Sequence, residues 1–113
     1  MREDGKVDYV ELPGVDLAAT KRFYEAAFGW AFTDYGPSYA AFSEGLDGGF
    51  DADVAEQSPK PLVVLYAHDL EAMLTKVTDA GATVLKPIYS FPGGRRFHFR
   101  DPSGNELAVW SEG

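Results

Sequence analysis

The chain has no cysteine. That excludes disulfide staples, thiolate metal sites and a cysteine nucleophile. No apolar run approaches the roughly 20 residues needed to span a bilayer. The polar opening Met1-Arg2-Glu3-Asp4-Gly5-Lys6 lacks the apolar region of a secretory signal, so a cytoplasmic protein is expected. Basic residues are outnumbered, 10 against 18, and the net charge of −8 repels phosphate backbones and anionic lipid. Nucleic acid and membrane are therefore not expected as partners, whereas a neutral or cationic small molecule is accommodated easily. What is present in quantity is apolar material: 45% of 113 residues are hydrophobic and 14% aromatic, enough for one globular domain with its own core.

The pattern along the chain alternates strands with two helices. Val7 to Pro13 reads as a strand, with Val7, Tyr9 and Glu11 on one face, and Pro13-Gly14 closes it. Asp16 is placed to cap a helix whose apolar stripe runs through Leu17, Thr20, Phe23/Tyr24 and Ala27/Phe28, with Gly29 at its end. Strands are expected over Trp30 to Tyr35, Tyr39 to Ser43 and Gly49 to Val54, followed by a linker containing Gln57-Ser58-Pro59-Lys60-Pro61. Leu62 to Ala67 is an apolar run of strand length, and Asp69 precedes a second helical stripe of Leu70, Met73, Leu74, Val77 and Ala80 that Gly81 ends. Thr83 to Phe91 and Arg95 to Arg100 flank the turn Pro92-Gly93-Gly94. Asp101-Pro-Ser-Gly-Asn is a second turn, and Glu106 to Trp110 alternates as a final strand.

The two halves repeat. Val15-Asp16-Leu17 answers His68-Asp69-Leu70, and Gly29 answers Gly81 at nearly the same offset. Each half is a βαβββ module (about 6–54 and 62–112), and a half of roughly fifty residues cannot bury both helix and sheet alone. The expected fold is α+β, a single domain in which tandem βαβββ modules form a curved mixed sheet around a cleft with the helices outside.

Phe23-Tyr24-Glu25, Phe28-Gly29-Trp30, Asp69-Leu70, Ala80-Gly81-Ala82 and Phe99-Arg100-Asp101-Pro102-Ser103-Gly104-Asn105, in this order and spacing, resemble the vicinal oxygen chelate superfamily. That group holds glyoxalase I, bleomycin-resistance proteins, fosfomycin-resistance enzymes and extradiol dioxygenases, and the resemblance runs from Val7 to Trp110, closest to a glyoxalase-like subgroup. It implies paired modules around a cleft and assembly as a homodimer. It also implies four metal-ligand positions, in the first and last strand of each half. By count these fall on Tyr9, Val63, Ala108 and a position within Gly48 to Asp51, where Asp51 alone could coordinate. Valine and alanine carry no donor and neutral tyrosine is a poor ligand for these cations. No metal or other cofactor is expected, and the family's metal-dependent activities are not carried over.

Other chemistry is weakly encoded. His98 shares a strand face with Arg96 and Arg100 and could act as a general base with Glu11 or Glu106, against the plainer reading of a rim histidine. His68 reads as a helix-entry residue. Arg95-Arg96 could clamp a carboxylate, or simply be solvated on a hairpin. There is no Gly-x-Ser-x-Gly elbow and no phosphate-binding glycine motif. The candidate site is therefore a ligand-binding one: Tyr9, Phe50 and Trp110 to stack, Glu11 and Glu106 to supply charge, and Val63, His98 and Ala108 to line the cleft. This composition suits metal-independent binding of a neutral, aromatic or cationic small molecule, as in the bleomycin-resistance branch, and equally the plain filling of the interior by aromatic rings. A glyoxalase-like lyase or isomerase and a non-catalytic protein-interaction module are the alternatives.

Overall fold

A computed structural model describes residues 2–53 and 60–113. The elements are β1 (Val7–Pro13), α1 (Leu17–Phe28), β2 (Thr33–Asp34), β3 (Tyr39–Glu44), β4 (Leu46–Asp51), β5 (Leu62–Tyr66), α2 (Leu70–Asp79), β6 (Thr83–Phe91), β7 (Gly94–Arg100) and β8 (Glu106–Ser111). They fall into two compact units, one of Tyr9–Leu62 and one that joins Val63–Gly113 to the residues up to Asp8. Each has the expected order of strand, helix and three strands, in an α+β arrangement.

The first unit orders its strands β2-β3-β4-β1, with β1 parallel to β4 and the other pairs antiparallel. Asp16 caps α1 by accepting from the Ala19 N–H at 3.1 Å. Gly29 ends the helix at φ 72°, where its N–H bonds the Glu25 carbonyl; a side chain there would be strained. Under α1 lies an aromatic cluster: Tyr24 stacks on Trp30 at 4.7 Å and meets Phe50 at 5.3 Å, and Phe42 joins Trp30 and Phe50. No residue of α1 itself is buried, and Phe23 and Phe28 remain 58% and 63% exposed.

The second unit orders its strands β5-β8-β7-β6, with β5 parallel to β8 and the others antiparallel. Asp69 caps α2 through the Ala72 N–H at 3.0 Å. Its core is Ala67, Leu70, Phe97, Phe99 and Val109, with Leu65, Leu107, Met73, Leu74 and Val77 packed against it. The arm before β1 is bound into this unit: the Gly5 N–H reaches the Tyr66 carbonyl at 2.8 Å, and Asp4 accepts from the His68 N–H at 2.8 Å.

Several boundaries differ from expectation. Of the strand expected over Trp30 to Tyr35 only Thr33–Asp34 pairs, because Trp30 and Phe32 turn into the aromatic cluster and the Ala31 N–H bonds the Glu44 carboxylate. The fourth strand is Leu46–Asp51 and not Gly49 to Val54, since its glycines pair with β1 and β3. Helix α2 stops at Asp79, two residues before Gly81. Val54 and the linker residues 57–59 lie outside the described residues.

Candidate functional site

In each unit the sheet has one face packed under the helix and one facing away, and register assigns the candidate residues to one or the other. In the first unit, Leu12 opposes Phe50, and Phe50 touches Tyr24 of α1. Tyr9, Glu11, Tyr39, Gly49 and Asp51 are on the opposite face. Phe50 therefore departs from the expected set: it belongs to the core under α1, and its ring is on the wrong face to join Tyr9.

Tyr9 and Glu11 do come together, through a residue the sequence did not single out. Tyr39 donates to Glu11 Oε2 at 3.2 Å, and its oxygen lies 2.6 Å from the Tyr9 hydroxyl. With its one proton spent on Glu11, Tyr39 accepts from Tyr9. Burial first, then the Glu11 carboxylate and Tyr9, push the Tyr39 hydroxyl far above the ordinary phenol range, so it stays protonated. The ring of Tyr39 fills the place of a side chain at 49: a Cβ on Gly49 would overlap its ring and hydroxyl. A shallow depression of about 350 Å³ beside β2 and β3 is lined by Phe32, Phe42 and Glu44 among others and includes none of the expected residues.

In the second unit the face away from α2 carries His98, Ala108 and Trp110, since His98 opposes Ala108 and Arg96 opposes Trp110. Glu106 belongs with them, opposite Arg100. Val63 does not: it pairs with Leu107, a residue packed on the core beneath α2, whereas Val64 pairs with Ala108. A count from the helix cap placed it one residue off, which inverts the face.

His98, 1% exposed, is held at both ring nitrogens. Nδ1 lies 2.8 Å from Glu106 Oε2 and Nε2 lies 2.9 Å from the Tyr89 hydroxyl. A carboxylate only accepts, so Nδ1 carries the proton and Nε2 accepts from Tyr89, whose oxygen accepts from Arg96 Nε–H at 2.5 Å. Burial lowers the His98 pKa, with Arg96 and Lys86 adding to the shift and the Glu106 hydrogen bond opposing it, so the ring is neutral near pH 7. Glu106 is thus the partner of the two that sequence offered for His98 within this unit. Arg95 grips the Glu71 carboxylate of α2 through both terminal nitrogens, so the carboxylate it clamps is the chain's own.

Trp110 sits at the end of this face with partners of its own. Its indole N–H donates to Asp8 Oδ2 at 2.9 Å, and Tyr66 meets its ring edge-on at 5.6 Å. The guanidinium of Arg2 lies over the ring, 5.0 Å from the centroid. Arg2 and Asp8 were not among the residues picked from sequence, because only folding brings the arm and the start of β1 to Trp110.

Two four-stranded βαβββ modules in tandem define a class of proteins. Residues 6–109 match the Glyoxalase/Bleomycin resistance protein/Dioxygenase superfamily, and the chain belongs to it. Among curated relatives, the protein CFP32 of Mycobacterium tuberculosis, which carries a glyoxylase name, is 28% identical over 94% of this chain and 45% of its own length. The anthracycline biosynthesis protein DauV of Streptomyces sp. is 32% identical over 96% of this chain and 48% of its own. The chain thus spans about half the length of the curated relatives it matches. Of solved structures, methylmalonyl-CoA epimerase from Mycobacterium tuberculosis has the same fold, with TM-score 0.73 at 12% identity over 99% of this chain and 91% of that one. The Mn(II)-bound glyoxalase from Novosphingobium aromaticivorans aligns with TM-score 0.67 and 21% identity over 99% of this chain and 40% of that one.

The family implies a metal in some members, and the donors here do not fit one. Val63 and Ala108, and equally Val64, offer no lone pair. Tyr9 is committed to Tyr39, which is itself held protonated. Among the described residues no three His, Cys, Asp or Glu side chains gather as a metal site. Likewise, no helix among them is long and apolar enough to cross a membrane.

Proposed function

We propose that this protein binds a flat, neutral or cationic small molecule without a metal ion. The observation that carries this reading is the composition of the sheet faces turned away from the helices. They hold Tyr9, Glu11, Tyr39, His98, Glu106 and Trp110, hydrogen-bonded in fixed orientations, where an ordinary core would be aliphatic. Such pre-oriented polar groups among aromatic rings suit recognition of a ring system bearing hydroxyl or amino groups. The name of the Streptomyces relative points to an aromatic class of molecule, and the family includes bleomycin-resistance proteins. The proposal includes a homodimer, the assembly that the family resemblance implies.

The test is calorimetric titration of an anthracycline and of bleomycin into protein treated with chelator, beside native mass spectrometry of untreated protein. Binding unchanged by chelator, to a metal-free dimer, is the expected result. Binding that disappears with chelator and returns with a divalent ion overturns the reading. Trp110→Ala should weaken binding by more than it lowers stability.

A second reading rests on the Glu106–His98–Tyr89 chain of hydrogen bonds, which is arranged to pass a proton between a carboxylate and a phenol. Under it the protein is a metal-independent isomerase, and His98→Gln removes turnover of a 2-oxoaldehyde adduct while affinity is retained.

A further inference from the structure

The ring of Trp110 already carries a cation on its face. Arg2 lies over the indole face, its Nε donates to Asp8 Oδ2 at 3.3 Å, and its Nη1 is 3.9 Å from Glu112 Oε2. Asp8 is thereby shared between the guanidinium and the indole N–H, which fixes the ring against the carboxylate. Glu112 is likewise held, accepting from the Tyr66 hydroxyl at 2.9 Å. A π face, two carboxylates oriented by other partners and an aromatic edge are the parts of a site for a guanidinium or alkylammonium group. Everything in it except Arg2 is anchored on strands or the chain end beside them. Arg2, by contrast, comes from an arm, and its side chain is 44% exposed.

We propose that Trp110, Asp8, Glu112 and Tyr66 form a cation-binding site, and that Arg2 is its tethered occupant, displaced by the cationic group of a ligand. This deepens the reading of Trp110 as a ligand-binding residue and rests on it. Arg2 lies six positions from Asp8 in the chain, on an arm that the hydrogen bonds of Asp4 and Gly5 already hold against the second unit, so it enters the site with little further loss of freedom. A small external cation competes poorly against that; a ligand with further contacts, or any cation once Arg2 is removed, competes well. The arm therefore sets a threshold that screens out simple amines.

The experiment follows the Trp110 indole N–H by proton–nitrogen NMR, with the resonance assigned through Trp30→Phe. Arginine amide is titrated into wild-type protein and into Arg2→Ala, with citrulline amide as the uncharged isostere. The expected result is a saturable shift in Arg2→Ala, at least tenfold weaker in wild type, absent with citrulline amide, and weakened about tenfold by adding Asp8→Asn. Arg2→Met, which keeps the stem, should behave like Arg2→Ala and guards against loss of the arm's fold. No saturable shift in either Arg2 variant, or an equal shift with citrulline amide, overturns the proposal. The anthracycline and bleomycin titrations separate the two failures: if those ligands bind but leave Trp110 unmoved in every variant, small-molecule binding stands and the cation site falls.

Discussion

The two units have one topology and two kinds of core. In the second, α2 opens on the fully buried Leu70 and lies over Phe97, Phe99 and Val109, a compact layer of aliphatic and phenyl groups. In the first, α1 buries no residue completely, and cohesion comes from stacked and tilted contacts among Tyr24, Trp30, Phe32, Phe42 and Phe50. Glycines at 48 and 49 in β4 leave room for those rings and for Tyr39, where β8 has Leu107 and Ala108. A repeat thus preserves strand order and helix caps while each half packs by its own means. The difference teaches that the cap signals belong to the shared plan and the core residues do not.

The largest effect should come from breaking the second core. Phe97→Ala removes a fully buried ring and should cost about 3–5 kcal/mol in urea unfolding, whereas Phe28→Ala in α1 should cost under about 1 kcal/mol. Comparable losses would show that α1 is as tightly packed as α2 and dissolve the contrast. The shared plan is tested by the caps. Asp16→Ala and Asp69→Ala should each cost about 1 kcal/mol, within a few tenths of one another, because both accept one N–H in the same geometry.

The smallest effect is a pH slope confined to the second unit. Burial holds His98 neutral where the unfolded chain already takes up a proton. Its stabilisation is therefore complete above the unfolded imidazole value of about 6.5 and declines as pH falls from there toward the lower folded value. Stability measured between about pH 7 and pH 5 should drop, and His98→Gln should flatten that slope. An unchanged slope in the variant would show that other groups carry it.

Much of the fold was legible because its signals are local. Asp16 and Asp69 before apolar stripes, the strands Val7–Pro13 and Thr83–Phe91, and the turn before Glu106 all follow from residues adjacent in sequence. The site was less so, because it depends on register. Tyr9 and Glu11 were assigned one face by simple alternation, and the structure agrees. Val63 was placed by counting from the helix cap, where one residue of error exchanges one face of the sheet for the other, and Phe50 was offered only as an aromatic able to stack. Tyr89 could not be found at all by alternation, since β6 shifts register between Val84 and Lys86 and again between Lys86 and Tyr89. Trp30 and Phe32 read as strand residues until their rings, drawn to Phe42, took them out of the ladder.

The close approach of Tyr39 to Gly49 constrains the history open to this chain. Because the ring occupies the space of a side chain at 49, a carboxylate or imidazole cannot arise there by one substitution without displacing Tyr39 and with it the hydroxyl pairing of Tyr9 and Glu11. Loss of the tyrosine has to come first. Each single step then carries a defect that the second repairs, so the two positions are epistatic. A lineage that has acquired this pair is held by a ratchet against gaining a ligand at 49, whatever selection favours at Ala108 or Val64.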